Sequence, residues 1–110
     1  MTAAKGVARF TFNELCEKPL GAEDYITIAR AYPTVFLDNV PRLDDDLRNE
    51  TKRLIILIDE LYNARTKLIV TAAAPPPSLY AGTQHAVEFQ RTVSRLTEMQ
   101  SKEWLRSEKN

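Results

Sequence analysis

Short apolar runs alternate along the chain with longer amphipathic stretches, a rhythm that predicts strands separated by helices. Phe10 and Phe12 alternate with Arg9 and Thr11, so a first strand is expected over Arg9 to Phe12. Asn13 follows as the expected cap of a short helix through Glu17, which Pro19 and Gly21 interrupt. A second helix is expected from Ala22 to Tyr32, with Ile26, Ile28 and Ala29 inward, because Pro33 pushes the residue before it out of helical geometry. Thr34-Val35-Phe36-Leu37 is β-branched and aromatic and meets no charge before Asp38, the pattern of a strand covered on both faces.

From Asp44 to Tyr62 there is neither Gly nor Pro, and one long helix is expected. Asp44, Asp45 and Asp46 then crowd the positive end of its dipole. Leu47, Thr51, Leu54, Ile58 and Leu61 form one stripe. Ile56 projects about 200° away from Ile58, so the middle of this helix demands cover on both sides. That is more than a lone chain of 110 residues is expected to supply. Lys67 to Ala72 reads as a third strand and Pro75 to Thr83 as a loop. The final helix, Ala86 to Gln100, turns Phe89, Val93, Leu96 and Met99 inward, and Trp104 and Leu105 dock a last short turn. This order predicts an α/β fold: a small, mostly parallel three-stranded sheet with right-handed crossovers, flanked by helices. Residues 1–8 are expected as a flexible lead-in, 9–106 as one domain and 107–110 as a tail.

Composition narrows the function classes. A chain of 110 residues holds one modest core. Its 15 basic and 15 acidic residues cancel, which removes any global field drawing nucleic acid or an anionic membrane. The longest apolar run, Leu54 to Ile58, is too short to span a bilayer. Cys16 has no second cysteine to pair with, as expected for a reducing, intracellular compartment.

The chemistry is defined first by what is missing. A P-loop wraps phosphates with the backbone N–H groups of a glycine-rich loop followed by Lys and a hydroxyl. The only glycines are Gly6, Gly21 and Gly82, and none precedes Lys-Ser or Lys-Thr. There is no Walker A motif. No catalytic grouping and no metal-ligand cluster can be assembled, and His85 stands alone. Val35-Phe36-Leu37-Asp38 has the shape of a Walker B strand, with Asn39 where a glutamate usually follows. An apolar strand ending in Asp is also a common structural feature. Leu68-Ile69-Val70-Thr71 sets a hydroxyl at a strand's carboxyl end, where α/β proteins bind ligands. Arg91 and Arg95 share a helix face, flanked at three-residue spacing by Glu88 and Glu98. Two adjacent guanidiniums call for an anion, either a phosphate or a carboxylate from another segment. The plainer alternative is a solvated face of exposed ion pairs. Arg48, Glu50 and Arg53 pose the same choice.

Several stretches together resemble the ZapE/AFG-like ATPase family. They are Phe10 to Cys16, Pro19-Leu20-Gly21-Ala22 with Asp24-Tyr25, and Thr34 to Asp38 with Val40-Pro41. Arg48-Asn49-Glu50 leading to Leu57 to Tyr62, Lys67-Leu68, Ala72 to Pro75, Leu79-Tyr80, and Glu88 to Leu96 with Glu98 to Ser101 complete the match. Gln90 stands where the family's Phe-Glu-Arg-Thr pattern has glutamate.

The resemblance implies that this is the carboxy-terminal part of a P-loop NTPase, with P-loop, Walker B and sensor segments upstream. ATP and magnesium would be bound by the intact parent and neither by this piece alone. It also implies bacterial cell division in the cytoplasm or, for a eukaryotic parent, mitochondrial protein quality control. Arg91, Arg95 and Asp38 are then the nucleotide-proximal candidates, and the expected partners are the rest of the parent, a homo-oligomer or a protein client. The competing reading is a stand-alone protein-interaction module, with Arg48, Glu50, Arg53, Ile55 and Ile56 as its surface. The first needs Asp38, Arg91 and Arg95 gathered near strand ends; the second needs Ile55 and Ile56 exposed.

Overall fold

The computed structural model describes residues 2–106; the expected 107–110 tail lies outside them. In chain order the elements are β1 (Thr2–Ala4), β2 (Val7–Thr11), α1 (Phe12–Cys16), α2 (Ala22–Ala31) and β3 (Thr34–Val40). A 3-10 turn (Asp45–Leu47) leads into α3 (Arg48–Asn63), then β4 (Lys67–Ala72), α4 (Pro76–Leu79), α5 (Ala86–Glu98) and α6 (Lys102–Arg106).

The α/β class is as expected, but the sheet has four strands and is mixed. Its order is β1-β2-β3-β4, with β1 antiparallel to β2 and the other pairs parallel. The extra strand comes from the segment expected as a lead-in. Gly6, at φ 70°, makes the turn that folds Thr2–Ala4 back on β2. Its carbonyl accepts from Thr34 N–H at 3.1 Å, tying the turn to the start of β3.

β2 stops at Thr11 because a capping box begins the next helix there. Thr11 Oγ1 accepts from Glu14 N–H at 3.1 Å, and Glu14 Oε1 accepts from Thr11 N–H at 2.9 Å. Asn13, the expected cap, therefore sits inside α1. In α2 the buried residues are Tyr25 and Ala29, four apart, while Ile26 and Ile28 are half-buried. Tyr25 donates its hydroxyl to the Leu15 carbonyl at 2.6 Å, fastening α2 to α1.

Both parallel crossovers return over one face of the sheet, and α3 packs there against α1, α2 and α5. Ala8, Phe10, Val35, Leu37 and Leu68 point into this core. The intervening residues Arg9, Phe36 and Ile69 line up side by side on the opposite face, where Ile69 is 40% exposed. The two-faced cover expected from the apolar runs is thus met on one face only. The expectation for α3 is also corrected. Its middle is covered within the chain by α2 and α5, leaving Ile55 5% exposed and Ile56 half-buried against the core.

The segment expected as a loop after β4 contains α4, begun by prolines in its first turn, and buries Leu79. Trp104 fixes α6 to the core: it is 2% exposed and donates Nε1–H to the Thr66 carbonyl at 3.0 Å.

Candidate functional site

The parallel register sets Asp38 at the carboxyl end of β3, beside Thr11 of β2 and near Thr71 of β4. Arg9 reaches it diagonally, donating Nε–H to Oδ2 at 2.5 Å and a second N–H to Oδ1 at 3.3 Å. Thr71 donates its hydroxyl to Oδ1 at 3.3 Å and accepts from Asn39 N–H at 2.9 Å. The guanidinium also lies 4.8 Å over the Phe36 ring. Asn39 takes a left-handed conformation, φ 64°, just past the pair. The Arg9 hydrogen bond, aided by its charge and by Thr71, holds the Asp38 carboxyl below the usual carboxylate range.

This arrangement does not fit magnesium. Both Asp38 oxygens are engaged by a resident cation and a hydroxyl, and among the described residues no group of three His, Cys, Asp or Glu converges on one point.

Arg91 and Arg95 do meet an anion, and it belongs to the chain. Arg91 donates to Asp59 Oδ2 at 3.0 Å, and Arg95 closes on Asp59 Oδ1. Arg95 also lies 4.7 Å over the Tyr62 ring. Tyr62 donates its hydroxyl to Glu98 at 2.8 Å and stacks on Trp104, ring centroids 5.0 Å apart. Arg65 covers Trp104 at 4.8 Å. The glutamates expected beside the arginines turn elsewhere: Glu98 to Tyr62, and Glu88 toward His85 Nδ1 at 3.6 Å. Of the two arginines, Arg91 is the more open, its side chain 47% exposed against 25% for Arg95.

The structure does not bring the three nucleotide-proximal candidates together. α3 runs back toward the amino ends of the strands, so Asp59 and its arginines lie away from the carboxyl end where Asp38 sits. Arg48, Glu50 and Arg53 do not act as one cluster either. Arg53 donates to the Cys16 carbonyl at 3.0 Å, Arg48 approaches the Asp45 carbonyl at 3.4 Å, and Glu50 is half-buried. Because Ile55 is buried, the exposed apolar patch needed by the stand-alone module is absent from that face.

One polar centre escaped the sequence reading. Asp45 reaches across to the loop before α5 and accepts from Thr83 N–H at 2.8 Å, Thr83 Oγ1–H at 2.9 Å and Gln84 N–H at 2.9 Å. Tyr80 adds its hydroxyl at 3.2 Å. The Gln84 and Thr83 hydrogen bonds hold the Asp45 carboxyl below its ordinary range. Asp44 caps the 3-10 turn, accepting from Asp46 N–H at 2.9 Å. Crowded acids read alike in sequence, and only the 38-residue separation closed by the fold distinguishes Asp45 from its neighbours.

A family model described as AFG1-like ATPase matches residues 1–108. "Cell division protein ZapE" of Escherichia coli K12 is 41% identical over 98 residues, which are 89% of this chain and 26% of that protein. "Lactation elevated protein 1 homolog B" of Danio rerio is 32% identical over an alignment of 130 residues, with the same shares of 89% and 26%. "Uncharacterized protein C115.02c" of Schizosaccharomyces pombe is 28% identical, covering 96% of this chain and 29% of that protein. The chain therefore spans about a quarter of the length of the curated relatives it matches. No solved structure matches it.

Proposed function

Since the chain belongs to the AFG1-like ATPase family, we propose that it is the carboxy-terminal accessory domain of a larger ATPase, with no turnover of its own. One observation carries the reading: at the starts of α1, α2 and the 3-10 turn, backbone N–H groups that a phosphate could use are already held by side-chain oxygens of the chain itself. At α1 they meet Thr11 and Glu14, and at α2 Gly21 N–H meets Asp24 Oδ2 at 2.8 Å. At the 3-10 turn Asp46 N–H meets Asp44. A carboxylate at a helix amino end takes the place of a bound anion and repels another. The three glycines serve a hairpin turn, the start of α2 and the loop around Asp45.

ATP and magnesium are then bound by the parent outside this chain. The domain completes or regulates the ATPase core, contributes to subunit contacts, or docks a protein client. The name of the E. coli relative supports a role in bacterial cell division, for which the cytoplasm is the proposed setting; among the described residues no helix is long and apolar enough to cross a membrane. Arg91 is the residue best placed to reach an anion on the parent, since its guanidinium is half-exposed and makes one contact to Asp59.

The test is ATP hydrolysis by this chain beside the full-length parent. A silent chain and an active parent are expected. Magnesium-dependent turnover by the chain itself would overturn the reading.

A further inference from the structure

The outer edge of β4 carries no neighbouring strand among the described residues. Lys67 N–H donates to the Pro33 carbonyl and Ala73 N–H to the Val40 carbonyl, both at 2.9 Å. Positions 67, 69, 71 and 73 therefore turn their backbone groups toward β3, and the alternation of a strand turns those of Leu68, Val70 and Ala72 outward. β4 ends the sheet. Among the described residues neither a loop nor a side chain hydrogen-bonds these outward groups. Edges left open in this way are normally blunted by proline, charge or a covering element. Leu68 to Ala72 contains no proline, glycine or charge.

The surroundings of that edge are apolar. Two adjoining hollows of about 360 and about 300 Å³ share Val70, Leu96 and Gln100 and run along β4 beside α5 and α6. Leu105, 45% exposed, forms part of one wall, and Ile69, 40% exposed, flanks the strand on the other face. A strand laid on this edge would drop alternate side chains into the groove toward Leu96 and set the others beside Ile69.

We propose that β4 is a pairing edge, occupied in the intact protein by an extended, apolar-alternating segment from the part of the parent polypeptide outside this chain. The proposal rests on the reading that such a parent exists. This chain covers 26% of its bacterial and fish relatives, so most of a parent of that length is available to supply the strand. A segment tethered to the same polypeptide also meets the edge at a far higher effective concentration than a free peptide does.

Hydrogen exchange on the full-length parent and on this 110-residue chain tests it. The Leu68 and Val70 amides should exchange fast in the chain and about a hundredfold or more slower in the parent. The Ile69 amide, inside the β3 ladder, should be slow in both. Equal, fast exchange at Leu68 and Val70 in the two proteins would overturn the proposal. So would protection in the isolated chain that rises with its concentration, which assigns the edge to a second copy.

Two variants guard against misfolding as an explanation. Val70→Pro removes one outward N–H while sparing the ladder, and Leu105→Glu charges the groove without touching the backbone. Each should cut Leu68 protection in the parent by about tenfold or more while Ile69 stays slow; full protection in both variants counts against the edge. The readout is independent of turnover. A parent that hydrolyses no ATP yet protects Leu68 would remove the ATPase reading and keep this one.

Discussion

Arg95 and Asp59 form an ion pair that joins α5 to α3, and the same carboxylate holds Arg91 through its other oxygen. Asp59 side-chain exposure is 22%, so the pair is partly withdrawn from water and is worth more than a surface contact. Removing the acid leaves two guanidiniums facing each other with no anion between them. Asp59→Asn should therefore destabilise the chain by about 1–2 kcal/mol, read as a lower urea midpoint. A midpoint unchanged from wild type would show that solvent already screens the pair.

The two arginines should separate in the parent. Arg91→Ala removes the half-exposed guanidinium and should lower ATP turnover with little change in the stability of the chain. Arg95→Ala loses both Asp59 and the Tyr62 ring, so it should lower turnover and also cost stability of about 1–2 kcal/mol. Parallel kinetics and urea titrations check this. Turnover unaffected by either substitution removes both residues from the nucleotide-proximal set.

Gly82 sits inside the Asp45 loop, where an added Cβ would lie 2.5 Å from Tyr80 Oη and 2.6 Å from Asp45 Oδ1. Both atoms are held in the hydrogen-bond network, so neither yields without breaking it. Gly82→Ala should cost about 1–3 kcal/mol and speed proteolysis or amide exchange across Ala81 to His85. A variant as stable and as protected as wild type would show that the loop accommodates the methyl.

Acid should weaken the fold through Asp45 and Asp38. Both carboxyls are held below their ordinary range in the folded state, Asp45 mainly by Gln84 and Thr83, Asp38 mainly by Arg9. A depressed folded value means the stabilisation is present above the unfolded value near about 4 and is lost as pH falls through the folded value. Between about pH 4 and pH 2, the urea midpoint of wild type should fall more steeply than that of Asp45→Asn. Parallel curves would show that this carboxylate is not linked to folding.

Cys16 is fully buried, and burial pushes its thiol up to about 12. Native protein at pH about 8 should therefore resist a thiol reagent, and labelling should begin only in the denaturant range where the fluorescence of the single Trp104 reports unfolding. Rapid labelling of the native chain would reveal local opening around α1.

What this sequence determines by itself is local. The apolar run of β3 and the proline-terminated β4 fall where their side chains and turn residues predict, and α3 falls within its Gly- and Pro-free stretch but begins at Arg48, after a 3-10 turn, rather than at Asp44, because period and punctuation act within a few residues. The same holds for the missing phosphate loop and for the pairing of motifs with a family. The tertiary structure decided the rest. β1 hides in a segment with no apolar signal, since its pairing depends on the turn at Gly6 and on β2 being there to receive it. The long helix finds its cover because α2 and α5 close on it from distant parts of the chain. The charged residues were the least legible. Arg9 with Asp38, Arg95 with Asp59 and Asp45 with Thr83 lie 29, 36 and 38 residues apart, and an ion's partner is set by where the chain returns rather than by what stands beside it.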